Sequence, residues 1–262
     1  MLVEEIKDFI LIIVCQYISS QFDSINQIYI PKMTNPGYVN AAFRSSRHNE
    51  AYFFINDQVL LLDYAPGSSA DKILYGPIPL SDGFKSLSHT IFGSYGIDCS
   101  FDTDNNQAFI FFENFCALID YSPYLDNFRI ISGPKKIVDV FPFFNGTVFE
   151  NGIDSAYRST LNKEVYLFKG DKYARIDYGK NHLVQDVKNI NKGFTCFRGT
   201  IFENGIDAVF ASHVNNKAYV FKGDYYAHVN VTPGATNDTI NGVVRLIRDY
   251  WKALGAIVPL AN

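Results

Sequence analysis

The chain has 262 residues, with 23 Lys and Arg against 27 Asp and Glu, a formal net charge of −4. That length supports a substantial hydrophobic core, and with 47% hydrophobic and 19% charged residues the chain is no disordered tail. A slightly acidic balance lacks the basic footprint of a nucleic-acid binder, so nucleic acid is not expected as a partner.

Residues 1–32 read differently from the rest. Phe9 to Ile18 is an apolar run of ten residues, short of the roughly 20 that span a bilayer, so no membrane anchor is expected. The preceding MLVEEIKD carries three acids and one Lys, the wrong charge for the start of a signal peptide, and no A-x-A cleavage site follows. We read 1–32 as an N-terminal extension, with Met33 as an alternative start, and 33–262 as the folded body. Four cysteines (Cys15, Cys99, Cys116, Cys196) include no CxxC pair and read as thiols of a reducing compartment. Three N-x-S/T sequons (Asn145, Asn230, Asn237) would matter in a secreted chain, but Asn230 falls inside an expected strand. The expected location is the cytosol.

The body is repetitive. GYVNAAF (Gly37 to Phe43), IFGSYGIDCSF (Ile91 to Phe101), VFENGIDSAY (Val148 to Tyr157) and IFENGIDAVF (Ile201 to Phe210) align on Asn40, Asp98, Asp154 and Asp207. Each is followed by an alternating segment, EAYFFIND, QAFIFFEN, EVYLFKGD or KAYVFKGD, ending at Asp57, Asn114, Asp171 and Asp224. Six residues on, a third apolar segment closes at Asp63, Asp120, Asp177 and Asn230. The Gly-Asp steps at 170–171 and 223–224 mark hairpin turns. A variable connector then reaches an aromatic: Phe84, Phe141, Phe194, and Tyr250 or Trp251. Helix-like spacing before these aromatics predicts a short linking helix.

Four roughly four-stranded units (about 37–88, 91–144, 148–198 and 201–254) predict an all-β fold, a four-bladed β-propeller. The 23 Phe and 17 Tyr suit strands and would fill the wedges between blades. A linear solenoid would need atypical polar caps, and the first and last copies keep the pattern.

The stretches Asp154 to Tyr157, Val165 to Arg175 and Gly133 to Ile137 resemble hemopexin repeats. More closely, Met33 to Asn262 resembles the albumin-2 family of legume seed proteins, through GYVNAAFRSS, LLDYAPG, DGFKSL, IFGSYGIDCSFDTDN, FCALIDY, YLFKGDKYARIDY and VTPGAT. The resemblance implies a cytosolic, four-bladed seed albumin with ions in its central channel. It further implies haem binding by the monomer, mutually exclusive spermine binding by a homodimer, a storage role, and links to oxidative stress and polyamine metabolism. Two features depart from animal hemopexins. No Cys stands in the first blade or after Cys196, so ring closure must rest on strand pairing and packing, with RDYWKALGAIVPLAN (Arg248 to Asn262) as the candidate segment. One propeller also cannot hold haem between two.

Asn40, Asp98, Asp154 and Asp207 would begin the innermost strands and ring the axis, each followed by small residues. Carboxylate and carbonyl oxygens there suit calcium or sodium rather than zinc, and a cation would relieve repulsion among three Asp. The bland alternative is that Asx residues simply cap turns. Asp102-x-Asp104-x-Asn106 with Glu113 mimics a calcium loop, but Gln107 occupies the place that needs glycine. None of His48, His89, His182, His213 and His228 recurs in every repeat, so no haem ligand is singled out. Acidic and tyrosine pairs such as Asp120-Tyr121, Asp177-Tyr178 and Tyr225-Tyr226 could meet a polyamine, though any propeller surface offers these. Catalytic motifs such as HExxH, GxSxG or a P-loop are missing, and the cysteines in apolar settings are poor nucleophiles. The reading is a non-enzymatic ligand-binding seed albumin. The alternatives are a pure storage protein, for which 22 Asn supply nitrogen, and a protein-interaction propeller.

Overall fold

The computed structural model describes residues 38–123, 128–161 and 163–259. The extension, Met33 and Cys15 lie outside them. The described residues form four antiparallel sheets, each an up-and-down meander. The first contains β1 (Ala41–Arg44), β2 (Glu50–Ile55), β3 (Gln58–Asp63) and β4 (Lys72–Pro79). The second contains β5 (Cys99–Asp102), β6 (Gln107–Phe112), β7 (Phe115–Asp120) and β8 (Arg129–Lys136). The third contains β9 (Ser155–Arg158), β10 (Glu164–Lys169), β11 (Lys172–Asp177) and β12 (His182–Asn189). The last contains β13 (Ala208–Ala211), β14 (Lys217–Lys222) and β15 (Tyr225–Asn230), with its outer strand split into β16 (Thr239–Ile240) and β17 (Arg245–Leu246).

The first strands of the four sheets line one axis: β1 lies beside β5, β5 beside β9, β9 beside β13, and β13 back beside β1. The ring is closed, a four-bladed propeller rather than a solenoid. The linking helices are single turns, Leu80–Gly83, Ile137–Val140, Ile190–Gly193 and Ile247–Tyr250. Much of the helix-like spacing ahead of the aromatics therefore belongs to outer strands.

Each blade is apolar on both faces, and a separate core fills each wedge. Between blades one and two lie Ala41, Phe43, Phe84 and Ile97; between two and three, Cys99, Phe101, Phe141 and Ile153. Between three and four lie Tyr157, Phe194, Ile206 and Val209; between four and one, Val39, Ala42, Phe210 and Trp251. Alternate residues of one inner strand thus enter opposite wedges, as a period of two requires. In the last wedge Trp251 is the buried aromatic and Tyr250 is exposed.

The recurring Gly-Ile-Asp step has a physical cause. Gly96, Gly152 and Gly205 adopt φ of 102°, 135° and 135°, backbone open chiefly to glycine. A Cβ on Gly96 would also sit 2.3 Å from the Asn56 carbonyl oxygen of the preceding blade. The glycine sets blade spacing, and the next residue (Ile97, Ile153 or Ile206) enters the wedge.

The segment after Trp251 closes the ring by docking on blade one. The buried Asp71 carboxylate, in the loop before β4, accepts the N–H groups of Lys252 (2.7 Å), Ala253 (2.9 Å) and Leu254 (2.9 Å). Leu254 and Val258 then pack into the wedge between blades four and one. No outer strand is exchanged among the described residues.

Asp238 is buried in the wedge between blades three and four. It accepts the Thr232 N–H at 2.7 Å and the Tyr157 hydroxyl at 3.3 Å. Burial raises its pKa from 3.8 to about 6. A raised carboxylate pKa means that the folded state binds the proton more tightly, so this group's contribution is full at low pH and lost as pH rises from 3.8 to 6. Half-buried His213 and His228 are held below the ordinary 6.5, chiefly by burial. Their contribution has the opposite sign and falls away in acid. Asp238→Asn should therefore gain about 1–2 kcal/mol at pH 7.5 and flatten the fall between pH 4 and 6 in a urea-unfolding series from pH 4 to 8. What remains are the contributions of the histidines and of Asp98, whose pKa burial also raises. An unchanged slope between pH 4 and 6 would remove Asp238 as its source.

Candidate functional site

The four Asx residues immediately precede the inner strands and so share one mouth of the axis. Each side chain makes the same bond. Asn40 Oδ1 accepts the Asn56 N–H (2.7 Å), and Asp98 Oδ2 that of Glu113 (2.8 Å). Asp154 Oδ2 accepts from Gly170 (2.7 Å) and Asp207 Oδ2 from Gly223 (2.8 Å). The donor is in every case the first residue of the turn between the second and third strands, at φ of 54°, 48°, 53° and 54°. The recurring Asx thus pins its own blade's hairpin turn to the axis, a capping role of the kind Asx side chains perform elsewhere.

The mouth is also electrostatically loaded. Burial raises the Asp98 pKa, and the Glu113 and Asp154 charges push in the same direction, while the Glu113 N–H and Lys169 oppose them. Lys169 Nζ meets Asp154 Oδ1 at 2.6 Å. Among the described residues no three His, Cys, Asp or Glu side chains are gathered as a metal ligand set.

The opposite end of the axis carries a second constellation that the repeat reading passed over. Four residues after each Asx stand Arg44, Asp102, Arg158 and Ala211, the last residues of the inner strands. Arg44 Nε donates to Asp102 Oδ2 at 3.0 Å, and Arg44 Nη1 to the Ser212 carbonyl at 3.2 Å. Arg158 Nη1 stands 3.9 Å from the same Asp102 oxygen, and Arg158 Nη2 donates to Asp104 Oδ1. All four blades are tied together here. Asp102 and Asp104 are thus ion-pair partners; the intervening turn holds Asn105 and Asn106 at positive φ, and β6 starts at Gln107, so this stretch is no calcium loop.

Beside it, His213 bridges blades four and one. Its Nε2 lies 2.9 Å from the Ser45 carbonyl oxygen and its Nδ1 2.8 Å from the Tyr64 hydroxyl. A carbonyl only accepts, so Nε2 carries a proton, and burial, which holds the His213 pKa below its ordinary value, favours the neutral ring with Nδ1 accepting from Tyr64. His228 stacks on Tyr219 (4.7 Å, 9°), as the Arg175 guanidinium lies over Tyr166 (5.6 Å) in blade three. His228 Nε2 is buried without a hydrogen-bond partner. His48, His89 and His182 are exposed. His48 meets His213 edge-on, with ring centroids 5.6 Å apart, and the five histidines do not gather at one point.

The described cysteines are free thiols. Burial pushes Cys116 and Cys196 up to about 12 and Cys99 well above the usual value, so none is primed as a nucleophile. Among the described residues no helix is long and apolar enough to cross a membrane.

The Hemopexin family model matches residues 153–194 and 206–256, the third and fourth repeats. Albumin-2 of Pisum sativum is 68% identical over 231 residues, covering 88% of this chain and all of the relative. Two solved structures from Cicer arietinum match with a TM-score of 0.84, each covering 86% of this chain and all of theirs. One, a plant albumin showing hemagglutination, is 66% identical; the other, a plant lectin with two metal binding sites, is 68% identical.

Proposed function

Because the chain belongs to the albumin-2 family of seed albumins, with the hemopexin fold, we propose that it is a non-enzymatic, cytosolic binding protein. It carries a calcium or sodium ion on its axis and takes up haem as a monomer and spermine as a homodimer. The observation that carries this reading is the match to the full length of Albumin-2 of Pisum sativum over 88% of this chain. The axial cation has separate support. Burial and the Asp154 and Glu113 charges raise the cost of ionising Asp98 at one mouth, a cost that a cation lowers, and a Cicer arietinum relative is described with two metal binding sites. Asn40, Asp98, Asp154 and Asp207 would hold the ion through main-chain oxygens, their side chains fixing the turns around it. His213 is committed at both ring nitrogens, so an incoming haem iron would turn first to an exposed histidine.

Hemin titration of the full chain tests the ligand reading. A saturable, shifted Soret band at one hemin per chain, suppressed by spermine, is expected. A featureless, unsaturable rise would leave nutrient storage as the better account. Hemagglutination by the Cicer arietinum albumin favours a second reading, a cell-surface glycan binder. Red-cell agglutination that simple sugars inhibit would support it.

A further inference from the structure

We propose that the end of the axis opposite the Asx ring binds a small oxyanion, a phosphate or a carboxylate, between Arg44 and Arg158. Three cations (Arg44, Arg158, Lys163) share two carboxylates (Asp102, Asp104), leaving one positive charge in excess. The inner charges are only partly solvated, with side-chain exposure of 22% for Arg44, 17% for Arg158 and 7% for Asp102, whereas Lys163 and Asp104 are exposed. The sharing is also uneven. Arg44 makes a short bond to Asp102, whereas Arg158 Nη1 stands 3.9 Å away, beyond hydrogen-bond range. Arg158 Nη1 and Arg44 Nη2 therefore keep donors without a hydrogen-bond partner among the described residues.

Both guanidiniums line one cavity of about 270 Å³. At about 30 Å³ of liquid volume per water, that holds a tetrahedral oxyanion with several waters. The remaining wall, including Thr103, Asn106 and Tyr121, offers hydroxyl and amide groups to the other oxygens. Neutral His213 at the rim is already engaged by Tyr64 and Ser45 and does not compete. A metal cation would meet two arginines here, and an apolar ligand a polar wall. Planar guanidiniums match the paired oxygens of phosphate and carboxylate. A neighbouring depression of about 560 Å³ shares Arg158 and is lined further by Lys163 and Lys180 with their carboxylate partners Asp104 and Asp177.

The test is calorimetric titration of the full chain with inorganic phosphate and, separately, acetate, at ionic strength held constant with chloride. Saturable binding by phosphate alone assigns phosphate esters, and by acetate alone carboxylates; either supports the site if Arg158→Gln weakens it at least tenfold. The Nε–H resonances of Arg44 and Arg158 should shift with the same saturation curve in the unsubstituted protein, a readout independent of how well a variant folds. No saturable binding by either anion, or binding that leaves both arginine resonances unmoved, overturns the proposal.

Discussion

Asp71→Ala should cost about 3–5 kcal/mol of stability, because three backbone N–H groups lose a shared carboxylate at a buried site. For a domain of this size that corresponds to a fall of roughly 6–20 °C in Tm. The reason lies in topology. The other three wedges form between blades joined by continuous chain, whereas the wedge between blades four and one depends on a segment that must find its site from 181 to 183 residues away. Loop closure over such a distance carries a large entropy cost that local contacts must offset. Asp71 fixes the turn that puts Leu254 and Val258 beside Val39 and Phe53, with Trp251 already in the wedge. Gly255 is part of the same device: a Cβ there would stand 2.5 Å from Arg248 Cα. Asp71→Asn keeps the shape but retains one acceptor oxygen, so it should lose a smaller share. Thermal unfolding of the three proteins checks this, and a loss below about 1 kcal/mol for the alanine variant would place closure elsewhere.

Asp102→Ala should be comparably damaging, by about 3–5 kcal/mol, since it takes from partly buried Arg44 its only carboxylate among the described residues and removes the negative charge standing between Arg44 and Arg158, which keeps Asp104. The loss should deepen at low ionic strength, where Arg44 and Arg158 repel with less screening. Restoring neutrality with Arg44→Met in the Asp102→Ala background should recover part of it, because removing both partners of a buried pair is milder than removing one. Urea denaturation of the single and double variants measures the coupling. Additive losses would mean that Arg44 and Asp102 act independently.

These two sites differ in how far the sequence announces them. The Gly-Ile-Asp steps recur in the last three blades because each residue does one job there: glycine for the positive φ, isoleucine for the wedge, Asp for the hairpin turn. The first blade keeps only the last two jobs, with Val39 and Asn40. Repetition makes such jobs visible, and the strands, turns and wedge aromatics follow from it. The choice between Tyr250 and Trp251 did not, because it depends on where a one-turn helix ends. Arg44, Asp102 and Arg158 share a register too, four residues past the Asx, but their charges alternate in sign, so an alignment seeking identical residues passes over a network built on complementarity. Asp71 has no counterpart in the other blades, since only the first blade receives a chain end. The Asx ring shows the converse. Its residues stand at one mouth of the axis, as the repeats imply, yet one side-chain oxygen of each is spent on its own blade's turn.

That distinction gives the most direct test of the axial reading. Asn40 already caps its turn with an amide oxygen, so Asp98→Asn should keep the fold while removing one charge from the mouth. Calcium titration of the metal-stripped protein should show one saturable site per chain, and Asp98→Asn should weaken it about tenfold, the effect of some 1.4 kcal/mol of lost attraction. Absence of saturable calcium binding, or an affinity indifferent to the charge at Asp98, would contradict a cation at this end of the axis.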